Sequence, residues 1–420
     1  MNTPTDNLGM RQVLAISNYR LLWTGQVISN FGDSLTNLGL LILVNELTGS
    51  TAALALMAII IGLPKVIFGM LAGVFVDRMN RRRIMIWSDV VRGVAVLGFI
   101  LVTTENLLWL LYAIAFIQSS IGTLFNPARN AIIPNIVPAH GLMSANALIQ
   151  TSALIVGVLG AGTAGLIIGV FDTYSPIFLI DSLTFLVSAL LIARIQIDPT
   201  TATIEQSEST TKVWRQLKEG VQLLFSNRLL SGTLVAAGVA MLGLGAINIL
   251  MVPFLVDDLN VPETWFGGVQ FAQVSAMVVS SGFVAAIARR FLPTQIIPYT
   301  LAIVGIDVAI IAAVSGIWHL IVLLFALGLV MTPLQAAIST ILQTAVEDNM
   351  RGRVGGALDT LVQLATLLSM AFAGIFGDLI GIRETFVLGG LVVVISALAA
   401  GRVFGKSEPV VPSLEPTPIG

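Results

Sequence analysis

Apolar stretches long enough to cross a lipid bilayer recur along almost the whole chain. A transmembrane helix needs about 20 mostly apolar residues, and the sequence contains twelve such stretches. They lie at about 19–45, 52–76, 84–104, 107–128, 144–171, 174–194, 229–256, 264–288, 295–316, 318–343, 354–379 and 383–404. The pattern predicts an all-α membrane protein with twelve transmembrane helices.

Composition supports this prediction and excludes several function classes. Only 10% of the 420 residues are charged, against about 25% in an average soluble domain. The net charge of −2 provides no basic surface for nucleic acid, so we expect no such partner. The chain has no cysteine, and its two histidines, His140 and His319, are far apart. Metal and thiol chemistry are therefore not indicated, and we expect no cofactor.

The distribution of basic residues predicts the orientation. If the N-terminus is cytoplasmic, 18 of the 21 Lys and Arg residues fall in cytoplasmic segments, which is the positive-inside pattern. Lys65 and Arg92 fall within spans, and Arg383 falls outside. The outer connections carry acids, namely Glu46, Glu105, Asp172, Asp257, Asp258 and Glu263. We predict a multi-pass protein of the cell membrane with both termini in the cytoplasm.

The segment 195–228 divides the twelve stretches into two sets of six. Its first part is rich in Thr, Ser and Pro, which is typical of a flexible linker. Four apolar residues in its second part share one helical face, which favours an amphipathic helix on the membrane surface; a solvated linker helix is the alternative. They are Trp214, Leu217, Val221 and Leu224. The predicted domains are an N-terminal bundle at 1–194, the linker at 195–228, a C-terminal bundle at 229–404 and a disordered cytoplasmic tail at 405–420.

A charged loop follows the second apolar stretch. Residues 73–83 read Gly-Val-Phe-Val-Asp-Arg-Met-Asn-Arg-Arg-Arg. This run resembles the signature loop of the major facilitator superfamily, and the matching residues are Gly73, Asp77, Arg78, Arg81 and Arg82. Asn80 replaces the second glycine of the signature, and Asn tolerates the left-handed backbone conformation better than most residues. The resemblance implies two pseudo-symmetric six-helix bundles with the substrate bound between them.

The same resemblance implies a role for this loop. In the family, contacts of the loop latch the two halves together on the cytoplasmic side in the outward-open state. Arg353 and Asp359, at the start of the eleventh apolar stretch, would be the partners of Asp77 in such a latch. The alternative is that the basic residues only set the orientation of the chain.

Further runs resemble the branch of the superfamily that includes enterobactin exporters and macrolide efflux proteins. They are residues 23–33, 125–134 and 350–354. The fifth apolar stretch is also similar to the glycine-rich antiporter signature, although it lacks the proline of that signature. Its glycines are Gly157, Gly160, Gly162 and Gly165. Close helix packing is the alternative role of these glycines, because small residues let membrane helices approach.

Ionisable residues within the apolar stretches are candidates for transport or coupling, because a charge at bilayer depth is costly. Asp33, Lys65 and Asp307 lie near the middle of their stretches. Each could instead serve packing alone, and Lys65 could neutralise one of the acids. Asp89 and Arg92 are three residues apart and share a helical face, so we expect a local structural charge pair.

These features predict a monomeric secondary transporter, not an enzyme, that works by alternating access. We expect proton-coupled efflux of small amphipathic organic molecules of the drug or siderophore type. The partners are then a small-molecule substrate and the lipid bilayer, and a proton gradient is the energy source. Import by the same fold, or a membrane sensor that does not transport, are the alternatives. An ATP-driven pump is disfavoured, because the run Gly401–Ser407 has one residue too few for a phosphate-binding loop.

Overall fold

The protein is helical throughout the part of the chain described by the computed structural model, which covers residues 8–77, 79–196 and 210–404. Within these ranges the side chains at 70, 71, 73, 74, 77, 210–214, 216, 217, 242, 243, 348 and 349 are not described. No strand occurs among the described residues. The all-α prediction is therefore confirmed.

The first half of the chain forms one short helix and six long ones. They are α1 (Met10–Ala15), α2 (Ser17–Thr48), α3 (Thr51–Asp77), α4 (Arg81–Leu97), α5 (Leu108–Ile136), α6 (Leu142–Phe171) and α7 (Ser175–Ala193). Within this set α2 packs on α6 and α7, α4 packs on α5 and α7, and α3 packs on α5.

The second half begins with a helix that precedes the next apolar stretch. Its helices are α8 (Thr210–Ser226), α9 (Arg228–Pro253), α10 (Phe266–Ser281), α11 (Val284–Arg290), α12 (Pro293–Ile311), α13 (Ile317–Ala345), α14 (Asp348–Ile380) and α15 (Ile382–Phe404). Here α15 packs on α9 and α12, α14 packs on α9, and α10 packs on α13. The backbones of α12 and α15 approach closely where Gly305 faces Gly390, as small residues allow in membrane proteins.

Eleven helices of the described chain are long and apolar enough to cross a membrane, and twelve are counted if one bent pair is a single span. The bent pair covers the stretch predicted as one span at 264–288. The helix breaks after Ser281, and the two pieces meet at 55°. Gly282 lies at the break, where glycine's low helix propensity favours interruption. The eighth predicted stretch is therefore a bent pair of helices and not one straight helix.

The connection between the halves is partly described. Residues 197–209 lie outside the described ranges, whereas α8 occupies the predicted amphipathic segment. Leu224 is fully buried in the protein core, and the Gly220 backbone lies against Arg353 of α14. At these two positions the helix packs on protein, and the placement of its apolar face at the membrane surface stays a prediction.

One contact between the two sets of helices joins α3 to α8, and several further close contacts lie toward one end of the molecule. We call this end, which carries Glu46, Asp257, Glu263 and Asp378, the acidic end. Here α3 packs on α14 where Ala55 faces Gly374, and α6 packs on α10 where Gly162 faces Gly267. The other end, which carries Arg81, Arg82 and Arg353, is called the basic end.

Candidate functional site

A polar cavity of about 210 Å³ lies among α2, α3, α4 and α5. We call it the N-terminal cavity. Its lining is rich in amides and hydroxyls but also contains formal charges. The lining residues are Gln26, Ser29, Asn30, Asp33, Thr36, Asn37, Leu40, Ile61, Lys65, Arg92, Ala115, Gln118, Ser119, Gly122, Phe125 and Asn126. So many polar groups at this depth of a helical bundle indicate a place that water or a polar ligand occupies.

An ion pair crosses one wall of this cavity. The Arg92 Nη2 atom of α4 donates a hydrogen bond to Asp33 Oδ1 of α2 at 2.5 Å. The guanidinium also lies 4.2 Å from the centroid of the Phe185 ring, a cation–π contact from α7. Asp33 and Arg92 were predicted as functional and structural residues respectively, and the structure brings them together.

Asp89 and Arg92 interact electrostatically but are not in direct contact, and their role as a structural charge pair stays a prediction. Although both residues lie on α4, no ion pair within 4.0 Å joins them in the described part of the chain. Arg92 reaches across to α2 because Asp33 is partly exposed to the cavity, whereas Asp89 is fully buried. Both carboxylate oxygens of Asp89 lack a hydrogen-bond partner among the described residues.

Asp181 of α7 is a member of the same cluster that the sequence analysis missed. It is fully buried, and its Oδ2 atom accepts a hydrogen bond of 2.5 Å from the Thr36 hydroxyl. The Thr184 hydroxyl contributes a longer bond of 3.3 Å to Oδ1. Arg92 interacts electrostatically with Asp33, Asp89 and Asp181. One guanidinium thus binds Asp33 directly and lies within electrostatic range of two further carboxyl groups.

Lys65 of α3 lines the cavity from the opposite side. It is exposed, and no ion pair to it is formed within the described ranges. Lys65 follows Pro64, which interrupts the backbone hydrogen bonding of α3. The Ser119 hydroxyl of α5 bonds to the Ile61 carbonyl at 2.5 Å and holds the two helices together next to this point. The predicted neutralisation of a buried acid by Lys65 is not what the structure shows.

A second cavity of about 340 Å³ lies between the two halves, and we call it the interface cavity. It is bounded by α2 and α6 from the first half and by α9, α10 and α13 from the second. Its polar residues include Ser34, Asn248, Gln270 and Gln273, and the rest of its wall is largely apolar. Asn37 lines both cavities. The two together form a mixed polar and apolar region at mid-depth.

Asp307 lies away from both cavities. It is a buried residue of α12, and its Oδ2 atom has no hydrogen-bond partner among the described residues. Gly305, two residues earlier on α12, packs directly on α15. Of the three predicted coupling candidates, the structure therefore brings Asp33 and Lys65 to one cavity and leaves Asp307 apart.

The signature loop is described only in part. Arg78 lies outside the described residues, and only the backbone is described at Gly73 and Asp77. Arg81 donates to the Ala131 carbonyl at 3.0 Å, and Arg82 donates to the carbonyls of Ile192 and Ala193 at the end of α7. These two arginines therefore bind helices of their own half.

Asn80 has a different role from the one expected. Its φ angle is −68°, so it is not in the left-handed conformation. Its side chain instead accepts a hydrogen bond from the Arg83 amide and caps the first turn of α4. Asn is among the preferred residues at this position.

The predicted partners of the latch lie on α14. Arg353 donates to Glu219 of α8 at 2.6 Å, and Asp359 is exposed. The structure therefore connects Arg353 to the segment that joins the halves. A contact of either residue with Asp77 is not described and stays a prediction.

The four glycines of α6 have different surroundings. An added Cβ would meet Ser34 of α2 at Gly160, the backbone of Gly267 at Gly162, and the backbone of Glu263 and Thr264 at Gly165. At Gly157, which lines the interface cavity, an added Cβ would meet no atom within 4 Å. Three of the four thus permit close approach, and two of these approaches join the halves.

Hydrogen bonds join the halves at the acidic end. Asn45 of α2 donates to Asp257 Oδ2 at 2.8 Å, and Asp378 of α14 accepts bonds from the first turn of α3. Within the first half, Tyr174 donates to Glu46. Burial and the bond to Glu46 raise the pKa of the Tyr174 phenol, so the phenol keeps the proton that it donates.

These features define a polytopic helical membrane protein with a charged internal cavity and an interface between two halves. A sequence model of the Major Facilitator Superfamily matches residues 22–313 and 233–418. The chain belongs to the Major Facilitator Superfamily, and it is a membrane transporter, not an enzyme.

Individual proteins agree with this assignment. The chain is 26% identical over 388 residues to macrolide efflux protein A of Streptococcus pyogenes, covering 91% of this chain and 95% of the relative. The fold is similar to that of the nucleoside transporter NupG, with a TM-score of 0.77, 13% identity and coverage of 93% and 100% of the two chains. It is also similar to a bacterial homologue of the lysosomal transporter Spinster, with a TM-score of 0.74, 14% identity and coverage of 93% and 98%.

Proposed function

We propose that this transporter exports small amphipathic organic molecules by alternating access and that proton movement drives the export. The observation that carries the proposal is the N-terminal cavity at mid-depth, where the Asp33–Arg92 ion pair faces a polar space. Ionisable groups are rare at such depth and mark substrate or ion pathways. The efflux name of the relative with 26% identity supports the direction of transport.

The proposed topology places the basic end in the cytoplasm and the acidic end outside, in the cell membrane. The positive-inside pattern supports this orientation. The proposed units are the bundles at 1–194 and 229–404, joined by 195–228 and followed by the tail at 405–420. We propose a monomer, because the two halves pack against each other within one chain and together bound the interface cavity.

The contacts at the acidic end support a transport cycle in which this end closes and opens. Small residues and single carboxylates make the close approaches there, for example Gly165 against Glu263 and Asp378 against Thr51. Such contacts can separate without disrupting the core of either half. In the opposite state, the signature loop with Asp77 and Arg78 is proposed to hold the basic end together.

Asp33 is the proposed coupling residue. It is the one acid of its cluster that lines the cavity, whereas Asp89 and Asp181 are fully buried. A proton on Asp33 removes the charge that holds Arg92, and Arg92 can then shift its contacts toward the other two acids. Such a shift would change how α2, α4 and α7 pack, which links protonation to conformation.

The experiment measures efflux in a bacterial host that lacks its own exporters, using a panel of compounds with and without a protonophore. Wild-type cells should accumulate less of at least one compound, and the protonophore should abolish that difference. Asp33→Asn should remove export while the protein remains inserted in the membrane. Asp307→Asn is the matched control, because it makes the same change in an acid that lies off the cavity.

Four results would count against the proposal. Efflux that is unchanged in Asp33→Asn removes Asp33 from the mechanism. Export that persists with the protonophore rejects proton coupling and points to another ion or to facilitated flow. Compound accumulation driven by the protein would instead favour the importer alternative, and ligand binding without movement would favour the sensor.

A further inference from the structure

The charges that line the N-terminal cavity do not balance. Three formal charges are present, from Asp33, Lys65 and Arg92. Asp33 and Arg92 form an ion pair at 2.5 Å, so their charges offset each other. Their side chains are 27% and 14% exposed, respectively. The exposed Lys65 forms no ion pair within the described part of the chain. The charge left over in this space is therefore positive.

A second cation extends this positive region. Arg129 of α5 donates to the Gln26 side-chain oxygen at 3.2 Å, and Gln26 lines the cavity. Its other described hydrogen bonds go to the neutral Asn130 side chain, at 3.3 and 3.1 Å. No acid lies within ion-pair distance of Arg129 among the described residues. Arg129 does not line the cavity itself but touches its wall through the neutral Gln26, and Lys65 lines the cavity without an ion pair in the described part of the chain.

The acids of neighbouring helices do not neutralise Lys65. Asp89 and Asp181 are fully buried behind Arg92, and Asp181 is bonded to Thr36. On α14, which packs against α3, Asp359 is exposed and forms no described ion pair with Lys65. Asp33 is engaged by Arg92. Lys65 therefore has no counterion among the described residues, and a mobile anion would supply one.

We propose that the transported molecule carries a carboxylate and that the Lys65 ammonium binds it. This inference rests on the proposed function, in that it takes the N-terminal cavity as the transport site. Amide side chains around the cavity, such as Asn30 and Gln118, donate further hydrogen bonds to the anionic group. The less polar body of the molecule lies in the interface cavity, which the N-terminal cavity meets at Asn37. Arginine forks are the groups that favour a phosphate, and the only described arginine that lines the cavity, Arg92, is engaged by Asp33, which leaves the Lys65 ammonium for a carboxylate.

The test uses the full-length protein in lipid nanodiscs and three fluorescent probes that share a dansyl body. These are N-dansylglycine, which is an anion, N-dansylglycinamide, which is neutral, and dansylcadaverine, which is a cation. The wild type should bind dansylglycine most tightly. Because a hydrogen bond to a charged group is worth more than a neutral one, Lys65→Gln should weaken dansylglycine binding about ten-fold. The same variant should leave dansylglycinamide binding unchanged.

Three further variants make the result specific. Lys65→Arg keeps the charge and should retain the preference for dansylglycine. Lys65→Glu should reverse the preference in favour of dansylcadaverine. Lys218→Gln removes an exposed lysine of α8, outside both cavities, and should have no effect.

Equal or tighter binding of dansylcadaverine by the wild type overturns the proposal, as does dansylglycine binding that Lys65→Gln leaves unchanged. The measurement of drug efflux from cells tests the proposed function separately. If the wild type exports only cationic compounds and Lys65→Gln exports them equally well, then export stands and the carboxylate proposal fails.

Discussion

The carboxylate of Asp378 binds the first turn of the helix that begins at Thr51, and the two residues belong to different halves of the molecule. Oδ1 accepts the Thr51 amide at 2.7 Å and the Thr51 hydroxyl at 2.8 Å. Oδ2 accepts the Ser50 hydroxyl at 2.7 Å and the Ala52 amide at 3.2 Å. A carboxylate in this position caps the free amides of a helix start and meets its partial positive charge. Here the cap comes from the other half, so separating the halves uncaps α3.

Asp378→Ala should therefore shift the protein toward a state that is open at the acidic end. Loss of a cap costs about 1 kcal/mol, which corresponds to a shift of about five-fold in the equilibrium between the two states. The chain has no cysteine, so Ser34→Cys in the interface cavity provides a single reporter. Its labelling by a membrane-impermeant maleimide in intact cells should be several-fold faster in the Asp378→Ala background.

The matched control for this prediction is Glu105→Ala. Glu105 is an exposed acid in a connection on the same side of the predicted topology, and it has no described contact with the second half. Its removal should leave the labelling rate as it is. Slower or unchanged labelling in Asp378→Ala would mean that the cap does not hold the acidic end closed.

Gly165→Ala tests the neighbouring contact between α6 and the segment before α10. A Cβ at this position would collide with the backbone of Glu263, which cannot yield as a flexible side chain can. Overpacking of this kind costs about 1–3 kcal/mol, so we expect faster labelling of Ser34→Cys from outside. Gly157→Ala adds the same methyl group on the same helix, where nothing lies within 4 Å. Equal labelling in the two variants would remove the Gly165 contact as the cause.

The sequence was sufficient to predict the all-α fold and the positions of the long apolar helices, and with them the helices that carry Asp33 and Lys65. These features follow from stretches of about 20 apolar residues, and each stretch can be recognised from the local sequence alone. The break at Gly282 was missed, because an isolated glycine in an apolar stretch is tolerated in many helices. Neighbouring packing, which the sequence does not show directly, decides whether such a helix continues.

Partners across helices could not be predicted from spacing. Arg92 and Asp89 are three residues apart, which favours a pair on one helix, yet Arg92 binds an acid 59 residues away. Asp181 and Asp378 are not among the candidates that the sequence indicates. Their roles depend on which helix packs opposite them, Thr36 of α2 for one and Thr51 of α3 for the other.

Arg92→Met should destabilise the protein, because it leaves Asp33, Asp89 and Asp181 clustered without a described cation. Removing one partner of a buried ion pair costs about 3–5 kcal/mol, and the partial exposure of Asp33 places the expected cost at the lower end. Adding Asp33→Asn should restore part of the loss, since the newly unpaired acid is then neutral. The thermal unfolding midpoint of each variant in detergent is the measurement. If the double variant is less stable than Arg92→Met alone, the pairing of these two residues is not what stabilises the cluster.

The contact between α8 and α14 contains both an ion pair and a close backbone approach. Variants at this contact can therefore compare what charge and packing each contribute to stability. Glu219 and Arg353 form an ion pair at 2.6 Å, but both side chains are more than a third exposed. Glu219→Gln should therefore cost less than about 1 kcal/mol. The adjacent Gly220 is buried, and a Cβ there would collide with the Arg353 carbonyl.

Gly220→Ala should consequently lower the unfolding midpoint by more than Glu219→Gln does, since overpacking costs about 1–3 kcal/mol. The sign of the change is diagnostic, because alanine is intrinsically better than glycine inside a helix by about 1 kcal/mol. Gly356→Ala on α14, where an added Cβ meets no atom within 4 Å, should show that gain and raise the midpoint. A rise in both glycine variants would show that α8 is not packed against α14 at Gly220. A fall in Gly220→Ala alone would establish that the helix joining the two halves is held by backbone contact.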